Sequence, residues 1–472
     1  MSDIVQRFAR IAADQPDRPV VYTPASNERL SASQLWQSHS ELRRQLLALG
    51  IEPGQLVVSV TGNRSVAISL FLACLSLRAA LMPIDVSATA AEVEQFADRF
   101  GAFVVAVPDG ANLRLARPRA NPASYSSVSL LKLTSGSTGF PKAILTAESH
   151  LIADAQRIIG TMGIADRDTQ LAVIPLSHSY GFGNLLMPLL LQGTAIVLRD
   201  SFVPNQVLAD ARAFQSRVFA GVPYMFNYLA TNPPPDGWPS CLQLLISAGA
   251  RLDTHTAHAF HDRFRIKIHS FYGASEAGGI AYDASDALME DGQVGTAMPG
   301  VTLSLRPDEE AADGSGRLVV HSDSVALGYS EEEEDDERAF ADRGFLTGDL
   351  GFVDDRGRVT LTGRASPAVN VAGRKVHPAE VERVLRSMNG VDDVCVIAAP
   401  DARRGQQILA CIISRDLSSA LEVRQFCAAR LAPHKVPRAI IFLPALPLTP
   451  RGKTDRTRLL SLALEQLAHE SR

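Results

Sequence analysis

Cysteine chemistry has little to work with in this chain. Its five cysteines, Cys74, Cys241, Cys395, Cys411 and Cys427, are scattered, sit mostly among apolar neighbours and show no metal-ligand spacing. That pattern excludes a disulfide scaffold or a zinc module and leaves reduced core thiols, as in a cytoplasmic protein. Long hydrophobic runs are missing as well. The longest, Ser69–Leu77 and Leu185–Leu191, are too short to cross a bilayer, so no membrane span is expected. No basic segment followed by an apolar one opens the chain, and a signal peptide is not expected. No Lys/Arg run interleaved with aromatics points to nucleic acid, and there is no internal repeat.

What is present is the composition of a globular protein: 472 residues, 46% hydrophobic and 21% charged. That length allows roughly two to four domains with ample core. Charge is unevenly divided. Residues 364–472 carry more Lys and Arg than Asp and Glu, although the whole chain has a net charge of −5. A basic C-terminal piece beside an acidic body suits a lid over anionic ligands, and equally suits ordinary attraction between domains.

Residues 1–126 alternate strand and helix signals: Gln55–Thr61, Ser65–Leu77, Ala79–Ile84, Ala90–Phe100. This βαβ rhythm predicts a parallel sheet with right-handed crossovers. Further on, Thr146 is placed to cap a helix whose Leu151, Ile152, Ala155, Ile158, Ile159 and Met162 share one face. Gly193–Leu198, Ser216–Val222 and Leu245–Arg251, the last ending in small residues, read as strands, and a β-rich segment follows Gly295.

The most informative stretch is Thr134-Ser135-Gly136-Ser137-Thr138-Gly139-Phe140-Pro141-Lys142, set between two short apolar runs. Gly136 and Gly139 let the backbone turn several N–H groups toward one point. Ser135, Ser137 and Thr138 add hydroxyl donors there, and Lys142 adds a cation. Such a turn suits a polyphosphate. A plain polar hairpin would also use Gly and Ser, but not this ordered set ending in Pro and Lys. Only Ser137 and Thr138 separate the glycines, and Lys142 enters a strand-like run, so the Walker-type loop is excluded.

The stretch resembles the signature of the adenylate-forming superfamily: acyl-CoA ligases, peptide-synthetase adenylation domains and luciferases. Other motifs follow in that family's order. Pro175-Leu176-Ser177-His178-Ser179-Tyr180-Gly181-Phe182-Gly183 is similar to its Pro…His…Gly element at the mouth of the acyl pocket, which implies a role for His178. No acidic residue follows to hold a substrate ammonium, so an α-amino acid substrate is disfavoured. Ser247-Ala248-Gly249-Ala250 resembles the family's Ser-Gly-Gly-Ala element beside adenine and acyl group, with Ala248 for the first glycine. Phe271-Tyr272-Gly273-Ala274-Ser275-Glu276 resembles Tyr-Gly-x-Thr-Glu. Tyr272 can stack on adenine, Ser275 can bond a phosphate oxygen, and Glu276 is a hard ligand suited to Mg²⁺. Thr347-Gly348-Asp349 resembles the element whose Asp takes the ribose hydroxyls. Arg364 matches a residue on ribose and phosphate.

The resemblance implies an α/β fold: a large layered N-terminal α/β domain (1–363) binding ATP and acid, plus a small mobile α+β C-terminal lid domain (364–472). In relatives the residue two beyond Arg364 is the hinge, usually Asp or Lys; here it is Ser366, followed by Pro367, which restricts it to extended conformations. Gly373 lies in a loop resembling the one against pantetheine, and Lys453 in Pro450-Arg451-Gly452-Lys453 resembles the catalytic lysine. The activity implied is ATP-dependent activation of a small carboxylic acid as an acyl-adenylate. Thioester formation with coenzyme A follows, the acid being an aryl or medium-chain acyl acid. The alternative acceptor is the phosphopantetheine of an acyl carrier protein. A non-catalytic nucleotide-binding protein on this fold would need a missing catalytic residue, and none is missing. The acyl pocket is expected around His178, Tyr180, Gly181, Tyr224, Ser247 and Gly249, with Gly181 and Gly183 leaving room.

Overall fold

Leu56–Ser59 and Ala80–Pro83 pair in parallel, Val57 opposite Leu81, with the helix Ser65–Ser76 between them in the chain. This is the crossover that the alternation before residue 126 predicts. The helix buries Ile68, Leu70, Phe71, Leu72 and Leu75 around its circumference, as an apolar helix between layers must. The computed structural model describes residues 2–109, 112–116, 118–134, 141–290, 292–307, 315–330, 339–340, 344–364, 369–401, 403–414, 419–447, 454 and 456–470. Of Arg364 only the backbone is described.

Residues 1–86, 96–133 and 143–365 form one compact unit, and residues 87–95, 134–142 and 366–472 a second. The largest sheet has thirteen strands among the described residues and changes character along its width. Thr169–Ala172, Val218–Gly221, Leu244–Ser247 and Ile268–Ala274 run parallel, in that spatial order. All four residues of Val218–Gly221 and of Leu244–Ser247 are buried, as continuous apolar strands covered on both faces must be. Past Ile268–Ala274 the pairing turns antiparallel through Gly278–Tyr282, Gln293–Ala297, Arg358–Arg364 and Gly344–Val353. There Gly316–His321 alternates buried and half-buried residues, the pattern of a sheet with one wet face. Ile268–Ala274 therefore pairs both ways, and its last residues lead into the site.

A second sheet carries Leu130–Thr134 and Lys142–Thr146 side by side with Ala80–Pro83 and Leu56–Ser59. Lys142 thus opens a strand, as its sequence context predicts. The following helix runs Glu148–Met162 with Ala147, not Thr146, at its N-cap. Thr146 is the last residue of its strand and its carbonyl accepts from Ser129 N–H, so pairing takes it before the helix can.

The second unit holds a sheet of Arg374–Val376, Val369–Val371, Gly405–Ile413 and Asp393–Asp401, with Ala439–Phe442 beside Gly405–Ile413. Helices Pro378–Arg386 and Ala420–Ala428 close its core through Val381, Leu385, Val423 and Cys427. At Ala372-Gly373 both residues have positive φ, +52° and +87°, the two-residue hairpin turn that matches strand twist. Large α/β and small α+β parts are thus both present. Among the described residues no helix is long and apolar enough to cross a membrane.

No disulfide forms. Cys74, Cys395, Cys411 and Cys427 are buried and Cys241 is half-buried. Burial pushes the Cys395 and Cys427 thiols up to about 11 and Cys411 up to about 12, so they stay protonated at pH 8 and are poor nucleophiles. Iodoacetamide at that pH is expected to alkylate Cys241 first in the native protein, the others only in denaturant. Peptide mass spectrometry showing Cys411 labelled as fast as Cys241 would contradict this packing.

Candidate active site

Three of the motifs sit at the carboxyl ends of adjacent parallel strands, where open α/β sheets bind ligands. The loop after Thr169–Ala172 carries His178, Val218–Gly221 leads to Tyr224, and Leu244–Ser247 runs into Ala248-Gly249-Ala250. Ala248 N–H donates to Gly221 C=O, 3.2 Å away, tying two of these strand ends together. Gly249 then turns with φ +79°, a left-handed conformation that its lack of Cβ allows. Ser247 Oγ is buried with no hydrogen-bond partner among the described residues. A buried hydroxyl without a partner is costly, so it marks a place where a ligand atom would be stabilising.

His178 is exposed, and its Nε2 lies 3.4 Å from Asp85 Oδ2, a pair that attracts when the imidazole is protonated. Tyr180 donates its hydroxyl to Ile246 C=O at 3.0 Å, and its ring centroid is 6.0 Å from that of Phe271. Burial raises its phenol well above the ordinary value, so the group stays neutral, and its bond to Ile246 holds it in place. Tyr224 meets Phe202 edge-on at 6.0 Å. The room expected at Gly181 and Gly183 is occupied. A Cβ on Gly181 would stand 2.3 Å from Pro175 O, and one on Gly183 would stand 3.1 Å from Asp154 Oδ2. Gly181 serves close packing of the loop on itself, and Gly183 serves its packing against the helix Glu148–Met162. Phe182 likewise faces the core, edge-on to Phe71 at 4.9 Å.

Beyond Gly273 the chain reverses through Ser275, Glu276 and Ala277 into Gly278–Tyr282. A Cβ on Gly273 would stand 2.8 Å from Gly278 O, so only glycine lets the two strands approach this closely. Tyr272 donates its hydroxyl to Asp349 Oδ2 at 2.8 Å. Two motifs far apart in the chain thereby meet, although three strands separate theirs in the order of the sheet. Thr347 Oγ1 accepts from Asp349 N–H at 3.1 Å and fixes the backbone there, while Arg364 is its register partner across the sheet. Glu276 accepts from the Tyr329 hydroxyl at 3.0 Å. Sequence reasoning missed Tyr329 and Thr347 as supports; their only signal is proximity to Gly328 and to the Thr-Gly-Asp triplet.

Thr134 and Lys142 end and begin the two strands flanking the Gly/Ser turn. Ser135, Gly136, Ser137, Thr138 and Gly139 lie outside the described residues, as do Ser366 and Lys453. Gly373 N–H is bonded by Asn370 Oδ1 at 2.7 Å, which pins its hairpin. No group of three or more His, Cys, Asp or Glu with metal-binding geometry occurs among the described residues. The turn after Gly273 offers one carboxylate, Glu276, which fits Mg²⁺, an ion held by one or two carboxylates with substrate phosphates and water completing its shell.

Comparison with known proteins shows which family the chain resembles along its length. A model of the AMP-binding enzyme family matches residues 8–124 and 106–330, and one of the AMP-binding enzyme C-terminal domain matches residues 380–453. The chain is similar to a sulfoacetate–CoA ligase of Cupriavidus necator, 27% identical over 96% of each chain. Among solved structures, o-succinylbenzoate CoA synthetase from Bacillus subtilis superimposes with TM-score 0.86 at 21% identity, covering 97% of this chain and 98% of that one. The amide bond synthetase McbA from Marinactinospora thermotolerans gives 0.85 at 23% identity, covering 98% and 99%.

Proposed function

We propose, on the premise that the chain belongs to the AMP-binding enzyme family, a division of labour among its residues for an AMP-forming acid–CoA ligase. The enzyme activates a carboxylic acid with ATP and forms its coenzyme A thioester. One observation carries the assignment of residues: the Tyr272 hydroxyl on Asp349. It gathers an aromatic ring suited to adenine and a carboxylate suited to the ribose hydroxyls within one hydrogen bond.

In the first step an acid oxygen attacks the α-phosphorus of ATP, and the bond to pyrophosphate breaks. The turn from Thr134 to Lys142 holds the leaving pyrophosphate, Ser275 bonds a phosphate oxygen, and Lys453 draws carboxylate and α-phosphate together. Placement and charge stabilisation carry the rate. Glu276 would hold Mg²⁺, which when bound compensates phosphate charge. The acid lies against His178, Tyr180, Tyr224 and Ser247, and the aromatic walls favour an aryl or medium-chain acid.

In the second step a thiol sulfur attacks the acyl carbonyl and AMP leaves. Residues 364–472 act as the moving domain against residues 1–363, Ser366 as the hinge and the Gly373 hairpin as the pantetheine contact. Coenzyme A is the acceptor in the named ligase relative, and a carrier-protein phosphopantetheine presents the same arm. The buried thiols agree with a reducing, cytoplasmic setting. A panel of acids in ATP–pyrophosphate exchange, with mass spectrometry of products from coenzyme A and from holo carrier protein, tests this reading. Exchange with an aryl or medium-chain acid and an acyl-CoA product is expected. A product on carrier protein alone would transfer the second step to that acceptor, and no exchange with any acid would end the ligase assignment.

A further inference from the structure

The turn that carries Ser275 and Glu276 is gripped at both ends by charged side chains from two other elements. Lys132 lies on Leu130–Thr134, a strand otherwise read as apolar, and is 8% exposed. Its Nζ donates to Ser275 C=O. Asp154, on the helix Glu148–Met162, accepts from Gly279 N–H at 2.7 Å through Oδ1. Its carboxylate occupies a seat cleared by two glycines. Gly278 has φ +72°, and a Cβ there would stand 2.4 Å from Asp154 Oδ1; Gly183 flanks Oδ2. Between the grips, Ala277 C=O accepts from Ser324 Oγ at 2.7 Å, and Arg157 donates to the same Oγ at 2.7 Å. Burial works against both charges, lowering Lys132 and raising Asp154, and each is countered by the other's field. A methionine at 132 would avoid that desolvation, so packing alone does not call for lysine here.

We propose that Lys132 and Asp154 form a buried charged brace that sets the Ser275–Glu276 turn, making them positioning residues for adenylation. The inference rests on the roles given above to Ser275 and Glu276. Ser275→Ala and Glu276→Ala serve as references: if neither slows ATP–pyrophosphate exchange, it is that reading which fails. Lys132→Met removes the donor and the charge. Asp154→Asn keeps an oxygen for Gly279 N–H and removes only the charge, so it stays informative if Lys132→Met does not fold.

For each folded variant, amide exchange over residues 275–279 in the nucleotide-free protein is expected to accelerate about tenfold or more, with Leu244–Ser247 unchanged. The exchange-reaction kcat should fall about tenfold to a hundredfold with little change in KM for ATP, the signature of misplacement at the reacting centre. Combining the two substitutions should cost no more than the worse single one, because they act as one unit. A lowered melting temperature with kcat within about twofold of the parent, unchanged amide exchange, or multiplying losses would each overturn the brace.

Discussion

Replacing Lys453 by alanine is expected to cut acyl-adenylate formation by about a hundredfold or more while leaving ATP binding within a few-fold of the parent. The reason is charge. An anionic carboxylate must approach an anionic phosphate, and negative charge builds on the α-phosphate oxygens as the pyrophosphate leaves. An ammonium at that point interacts most strongly when the charge is greatest, so its loss falls on kcat more than on binding. The second step offers the control. When chemically synthesised acyl-adenylate and coenzyme A are supplied, the activated carbonyl is already made, and Lys453→Ala should form thioester at nearly the parent rate. Calorimetry with ATP, pyrophosphate exchange and this half-reaction together read three separate quantities. Near-normal pyrophosphate exchange would remove Lys453 from its assigned place.

Much of this arrangement is legible before any coordinates. The βαβ alternation from Leu56 to Asp109 reads correctly because its strands are short and apolar and its helices are punctuated by turn residues. Pro19–Thr23 with Glu28–Ser31, and Ala102–Asp109 with Asn112–Leu115, add antiparallel pairs to the expected parallel ones. Tyr272 and Asp349 are each weak signals alone and strong in order, and the fold brings them to 2.8 Å. The failures share a physical cause: they depend on neighbours distant in sequence. Gly181 reads as pocket space, yet its bare Cα faces the Pro175 carbonyl. Thr146 has the chemistry of a helix cap, but strand pairing takes it first. Lys132 and Asp154 lie on elements whose periodicity marks them as strand and helix and nothing more. Their common target, the turn at Ser275, is a relation across the sheet that no local pattern encodes.

Asp349→Ala is expected to lower kcat/KM for ATP by about ten- to a hundredfold, the cost of losing a hydrogen bond to a charged group, about 1.5–3 kcal/mol. The loss should lie in KM. Ribose changes little between bound ATP and the transition state, so a contact to its hydroxyls is uniform binding. Tyr272→Phe provides the comparison. It removes the hydroxyl that donates to Asp349 Oδ2 but keeps the ring, and its effect should be about a single neutral bond, a few-fold. Asp349→Asn should fall between, since one carbonyl oxygen remains as acceptor without the charge. The sharper readout is sugar selectivity. The parent should favour ATP over 2′-deoxy-ATP, because the deoxy sugar leaves one carboxylate oxygen without its partner. In Asp349→Ala that preference should collapse toward unity while the acid dependence stays unchanged. A variant that still discriminates the two nucleotides as the parent does would place the ribose elsewhere in the protein, and the meeting of Tyr272 with Asp349 would then be a structural contact alone.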